Sequence, residues 1–255
     1  MRYQYLSLVY LLHNNKVIDP DSVPNIVIEK TYDGWGPFWD ATHAAVAKYE
    51  YCDCSIVGGF ENRYYYNPIR NISVTFIVYV GDNIPVGGGW SPINGSNHFD
   101  HPPAPEPISW VYSTVQERIL NIAAKLDPKP TTLVLNAGHW GNKWNETAHR
   151  DGVLGLAKSL FPRVIWKTTN YIIDHAPGDY QHDAFVCSYP GVECMNLDWT
   201  QHLDASHYWD RVHFRADVYT DINIQFMLQL VKHKPLVIAP MSAEHHAQIL
   251  NHIGR

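Results

Sequence analysis

Thr131-Thr-Leu-Val-Leu-Asn136-Ala-Gly138-His139-Trp140 is the stretch that decides the fold. Residues 131–136 form a short apolar run without alternation, the pattern of a strand buried on both faces. The run ends in a polar Asn and a Gly, so the chain leaves the sheet there. Two runs of the same kind flank it. Residues 163–168 read Arg-Val-Ile-Trp-Lys-Thr, and residues 74–80 read Val-Thr-Phe-Ile-Val-Tyr-Val, bounded by Asp82-Asn. Helical patterns lie between and around the runs. Tyr5, Leu8, Val9 and Leu12 share one face of a helix over 2–13, and 36–49 reads as another. Val111, Val115, Ile119, Ile122 and Leu126 mark an amphipathic helix ended by Asp127-Pro. A helix over 147–160 stops before Pro162. Val218, Ile222, Phe226 and Leu230 mark the last one. Helices alternating with buried strands predict an α/β fold: a three-layer α/β/α sandwich around a mostly parallel central sheet. Chemistry in such folds sits at the carboxyl ends of the strands.

The 255 residues read as one domain, with no linker and no internal repeat. Hydrophobic residues make up 45% and charged residues 17%, which supports a sizeable core and argues against disorder. Nineteen basic against 25 acidic residues leave a net charge of −6, which argues against a nucleic-acid surface spread over the whole chain and leaves only a local patch open. No apolar run reaches the roughly 18–20 residues of a membrane span. Residues 81–109 and 174–209 are rich in Gly, Pro, His and aromatics and exceed ordinary loop length; they read as substrate-binding surface or Ω-loops.

The four cysteines fall in two groups, Cys52/Cys54 and Cys187/Cys194. Cysteines two apart bond each other poorly, so the grouping predicts a disulfide joining the two clusters. Buried thiols are the alternative. Sequons stand at Asn71-Ile-Ser73, Asn94-Gly-Ser96 and Asn145-Glu-Thr147. Together these features predict a secretory-pathway protein, in the Golgi lumen or outside the cell. Residues 2–13 lack a small-residue cleavage site, so they read as a helix of the fold rather than a leader, and a luminal chain of this kind is expected to begin further upstream.

Two segments carry candidate chemistry. The Asn136 amide, at a strand's end, suits a donor to developing negative charge; the same residues also make a plain Asn-Ala-Gly turn. In Asp210-Arg-Val-His213 a carboxylate can hold one imidazole nitrogen and free the other as general base. Asp-x-x-His occurs four times, at Asp40/His43, Asp179/His182, Asp204/His207 and Asp210/His213, and the last stands on a loop entering a helix. Arg63 reads as a contact to a carbohydrate or acetyl donor, or as a structural Arg paired with an acid. His98, His101, His202 and His207 match no zinc spacing, and no metal or cofactor is expected. Trp35, Trp39, Trp90, Trp140 and Trp144 read as a sugar-stacking floor or as core.

Asn136-Ala-Gly-His-Trp140 resembles the Asn-x-Gly-His-Trp block of the PC-esterase and trichome-birefringence-like proteins, a branch of the SGNH (GDSL-type) hydrolase superfamily. Asp210-Arg-Val-His213-Phe resembles their terminal Asp-x-x-His block, and Val164-Ile-Trp-Lys-Thr-Thr169 the strand between. Arg2-Tyr-Gln-Tyr-Leu-Ser-Leu-Val resembles the helix that follows the family's Gly-Asp-Ser block. The likeness covers nearly the whole chain. It implies a sandwich fold and O-acetyl transfer to, or hydrolysis of, esters on a glycan, with an acyl donor of unknown kind. It implies His213 as general base, Asp210 as its orienter and Asn136 as oxyanion donor, with Gly138, His139 and Trp140 on the substrate side.

The nucleophile implied by the resemblance is missing. Gly81-Asp82 is followed by Asn83 and Gly178-Asp179 by Tyr180, so no Gly-Asp-Ser stands in the 255 residues. Ser7 lies inside a helix, whereas the nucleophile needs a turn at a strand's end. The chain is expected to be incomplete at its N-terminus, with Met1 lining the pocket. The alternative is a pseudoenzyme, a non-catalytic carbohydrate-binding or interaction module that keeps the fold.

Overall fold

The first helix, α1 (Arg2–Asn14), is buried all round over its first turns, where Tyr3, Tyr5, Leu6, Leu8 and Val9 are joined by Gln4 and Ser7. It ends at Asn15, whose left-handed φ of 56° lets its amide close on the Leu11 carbonyl at 2.8 Å. The computed structural model of the chain describes residues 2–15, 49–53, 62–78, 114–140, 142–173, 181–208 and 210–232. The helix expected over 36–49, the irregular stretch 81–109 and the pairing of Cys52 and Cys54 fall almost wholly outside them.

Three strands, β1 (Glu50–Asp53), β2 (Asn62–Asn67) and β3 (Ile72–Phe76), form an antiparallel sheet in that order, with Glu50 opposite Tyr65 and Arg63 opposite Phe76. This corrects the expectation of a buried parallel strand over 74–80. The cause is a tight turn: the Asn67 side chain accepts from the Ile69 and Arg70 amides at 3.0 and 3.2 Å. So short a connection joins only antiparallel neighbours. Helix α1 is fastened to this sheet by side chains. Tyr5 Oη donates to Glu50 Oε1 at 2.9 Å, His13 Nδ1 and Tyr65 Oη meet at 3.1 Å, and the Arg70 guanidinium donates to the Leu12 carbonyl at 2.5 Å.

In the second half the two remaining apolar runs are strands, while the pattern expected to be helical over 111–126 is an α-helix only from Val115 to Asn121, with a 3-10 turn over Ala123–Lys125. Helix α2 (Val115–Asn121) starts on a capping box in which Thr114 and Glu117 satisfy each other's backbone amides. Then come β4 (Thr132–Leu135), α3 (Thr147–Leu160), β5 (Arg163–Lys167), α4 (Gln181–Cys187) and β6 (Glu193–Met195). The strands pair in parallel in the order β4-β5-β6, with Leu135 opposite Trp166 and Trp166 opposite Cys194. Trp166 and Val164 pack with Leu135, Trp144, Leu154 and Val186 into the main core. Each such side chain contributes about 1.5–3 kcal/mol by leaving water. The chain is therefore mixed α/β, with a three-stranded parallel sheet and helices.

Residues 174–209 are not one irregular stretch, because α4 and β6 lie within it. A three-residue strand is too short to show periodicity, yet two cross-links hold it. Arg163 and Glu193 pair in parallel at 2.5 and 2.6 Å, and Cys187 bonds Cys194. That disulfide overturns the cross-cluster pairing. The turn through Gly191, at φ 77°, folds β6 back beside the end of α4, so the two Cα atoms stand 5.4 Å apart, within bonding range. The last helix, α5 (Ala216–Val231), straddles the boundary between two compact units, Met1–Asn223 and Ile224–Arg255. In the first unit Asn223 Nδ2 donates to the Gln4 carbonyl at 3.1 Å. Among the described residues no helix is long and apolar enough to cross a membrane.

Candidate active site

The polar groups converge where β4 and β5 end. Asn136 follows β4, and its Nδ2 donates to the Lys167 carbonyl at the end of β5, 2.8 Å away. Gly138 takes a φ of 54°, which explains a glycine at the turn beside Asn136. The chain leaving β5 is pinned on two sides. Thr168 continues the ladder through Thr168 N to Met195 O at 3.0 Å. Asp183, buried on α4, accepts from Trp166 Nε1 and from the Thr169 amide, both at 2.7 Å.

That exit loop bridges the two sequence blocks. Thr169 Oγ1 donates to the Gly138 carbonyl at 3.4 Å. One position further on, Asn170 Nδ2 reaches the Val212 carbonyl at 3.4 Å, and the Ile173 amide reaches the Arg211 carbonyl at 3.1 Å. Gly138 and the Asp210–His213 turn are thus linked through one loop at the carboxyl edge of one sheet.

The turn itself is local chemistry. Asp210 Oδ1 accepts from the Val212 and His213 amides at 2.7 and 2.8 Å, closing an Asx turn. Oδ2 holds His213 Nδ1 at 2.7 Å. Burial works against the Asp210 carboxylate, but the bonds from the His213 ring and the two amides outweigh it and hold its pKa below the ordinary value. In the neutral tautomer that donates from Nδ1 to this carboxylate, Nε2 carries the lone pair. Among the described residues Nε2 has no hydrogen-bond partner, and the side chain is 30% exposed. The Tyr3 ring meets the imidazole edge-on at 5.1 Å.

The other Asp-x-x-His repeats do something else or lie outside the described residues. The Asp204 carboxylate takes the Ser206 amide and hydroxyl, while His207 faces Asp217 at 3.5 Å. His182 lies against its own neighbour Asp183 at 3.6 Å and against Thr169 Oγ1 at 3.4 Å. Burial lowers the His182 pKa, with Asp183 opposing. Asp40, His43 and Asp179 are among the residues not described, as are Met1 and the Trp140 side chain.

Of the remaining candidates, His139 is exposed beside Gly138. Arg63 sits in β2, 1% exposed, with its Nη1 on Glu50 Oε2 at 3.0 Å. Burial raises the Glu50 pKa against the pull of Arg63 and Tyr5. Trp144 is 1% exposed and packs 4.7 Å from Trp166, so it belongs to the core and not to a sugar-stacking floor. Among the described residues no group of three or more His, Cys, Asp or Glu is placed to hold a metal ion.

Sequence reasoning passes over Thr169, Asn170, Asp183, Lys167 and Tyr3. One signal was available: a Lys closing the apolar run Val164-Ile-Trp-Lys167. Lys167 is 2% exposed, and burial lowers its pKa to about 8, with Asp183 opposing.

Compared with known protein families, curated proteins and solved structures, the chain finds no match.

Proposed function

We propose that the chain is the body of an SGNH-type O-acetyltransferase or acetylesterase acting on a glycan, of the PC-esterase and trichome-birefringence-like branch, with the α/β/α sandwich of that superfamily. The Asp210–His213 pair carries the reading. A carboxylate fixed by two amides orients Nδ1 and leaves Nε2 open, which is the arrangement a general base needs to take a proton from a hydroxyl. Asn136 supports it. One N–H of its amide is spent on the Lys167 carbonyl, and the other is available to an oxyanion.

The acyl-enzyme route requires a hydroxyl nucleophile. It attacks the acetyl carbonyl as His213 takes its proton, and that proton passes to the leaving sugar oxygen; water or a second sugar then takes the acetyl group. Within these 255 residues no Gly-Asp-Ser supplies that hydroxyl. The same fact favours the second reading, a carbohydrate-binding module without catalysis. The Cys187–Cys194 disulfide supports a secretory-pathway location for either.

Binding tests the shared part. O-acetylated oligosaccharides titrated into the chain are expected to shift the His213 imidazole resonances, and their deacetylated counterparts to do so less. Equal or absent shifts sink the acetyl-ester reading. An activated acetyl ester separates the two functions. Slow turnover without a burst, lost in His213→Gln, fits a site lacking its nucleophile. Turnover unchanged in His213→Gln fits the binding module.

A further inference from the structure

The sequon Asn71-Ile-Ser73 takes no part in the site above, and the structure gives it a setting of its own. Asn71 closes the turn between β2 and β3 in the left-handed region, φ 50°, with its side chain exposed. Tyr66 stands directly opposite Ser73 in the antiparallel ladder, so the two side chains share a face of the sheet. Tyr66 Oη donates to Asn71 Oδ1 at 3.4 Å. That contact uses the amide oxygen and leaves Nδ2, the atom that bears a glycan, pointing away from it. Tyr66 also packs against the cluster of Tyr64, Ile122 and Leu126, which holds the ring in place. Beside it Ile69 is 83% exposed, an uncovered apolar side chain at the hairpin tip.

We propose that Asn71 carries an N-linked glycan whose first sugar packs on the Tyr66 ring at the tip of the β2–β3 hairpin. The proposal rests on the secretory-pathway half of the reading above and not on its chemistry. In the transfer, Asn71 Nδ2 attacks the anomeric carbon of an oligosaccharide carried on a lipid pyrophosphate. The new C–N bond replaces the C–O bond to the pyrophosphate, which leaves with the lipid, and the amide proton goes to a base of the transferring enzyme. The apolar face of a pyranose then finds a fixed aromatic partner and covers exposed carbon at the tip. Asn145 offers no equivalent. It is exposed, but its neighbour Trp144 is turned into the core, and Glu146 and Thr147 open α3.

The test sends the full chain through the secretory route of a eukaryotic cell behind a heterologous leader. Enzymatic glycan release, which turns a glycan-bearing Asn into Asp, is expected to mark Asn71 in peptide mass spectra. Ser73→Ala should abolish the mark at Asn71 while leaving the turn residue in place. Released protein is expected to melt roughly 1–3 °C below the glycosylated form, and Tyr66→Leu should erase that difference. An unmodified Asn71 in the lumenal pool overturns the proposal, and so does a melting difference that survives Tyr66→Leu. Neither readout involves His213, so the acetyl-ester reading can fail while this one stands.

Discussion

The Tyr3 ring stands edge-on to the His213 imidazole, with centroids 5.1 Å apart and planes at 87°. This joins the first turn of α1 to the turn that enters α5, 210 positions later in the chain. Asp210 fixes one edge of the imidazole from within its own turn. Tyr3 bounds it from another element, and Tyr219, 6.0 Å from Tyr3, backs that ring.

Tyr3→Ala should therefore loosen the imidazole. Two-dimensional spectra of the ring nitrogens are expected to change from one Nδ1–H tautomer to an exchanging mixture, and Tyr3→Phe should restore the single form. A general loss of packing, about 3–5 kcal/mol for a large buried ring, would not be cured in the tautomer alone. An unchanged tautomer in Tyr3→Ala would show that Asp210 suffices.

Asp210→Asn tests the other contact. The Asn amide can still accept the two backbone N–H bonds on its oxygen, but it presents N–H₂ to Nδ1. The ring should switch to the Nε2–H form, which cannot take a proton at Nε2. The pH dependence has a definite sign. The folded carboxyl titrates below its unfolded value of about 3.9, so its stabilisation is complete above that pH and is lost as pH falls through the folded pKa. The side chain is 44% exposed, so the effect is small, under about 1 kcal/mol. Acid titration of the unfolding midpoint should flatten in Asp210→Asn.

What the sequence made legible divides by range. Helix α3 is read at its true bounds because the stop at Pro162 is a local signal. The Asp210–His213 pair is legible for the same reason, since both its bonds close within three residues. The setting of that pair is not. Thr169 meets Gly138 across 31 positions, and Asn170 meets Val212 across 42, contacts that only the parallel ladder creates. The cysteines show the converse error. Spacing points Cys187 across the chain, whereas a left-handed Gly191 brings it back to Cys194.

Lys167 makes a prediction of the opposite kind to Asp210. Its folded pKa is lowered to about 8 by burial, against about 10.4 in the unfolded chain. Between those values the unfolded state binds more protons, so stability rises with pH across that window. Lys167→Met removes a buried ammonium and keeps most of the volume. It is expected to stabilise the fold at pH 7 by about 1–3 kcal/mol and to abolish the rise. Urea unfolding at several pH values between 7 and 10 measures both. A loss of stability at every pH would mean that the attraction of Asp183 outweighs the burial of the ammonium.

Asp183 is where these effects couple. Its two oxygens take Trp166 Nε1 and the Thr169 amide, and its charge opposes the lowering of both Lys167 and His182. Asp183→Asn keeps one acceptor oxygen and turns an N–H₂ toward the second donor. The cost should be about 2–5 kcal/mol, the range for breaking a buried charged hydrogen-bond pair. Removing the carboxylate also withdraws a charge that raises the Lys167 pKa, so the rise of stability with pH should begin below about 8. A double-mutant cycle separates the two contributions. If Asp183 acts on Lys167 through charge, Asp183→Asn should cost less in the Lys167→Met background, because no buried cation is left exposed to the loss. If Asp183 acts only by holding Thr169, the cost is the same in both backgrounds. The site then reports which holds: a displaced Thr169–Asn170 loop loses its bond to the Val212 carbonyl, and the His213 resonances move even though no residue of its own turn has been changed.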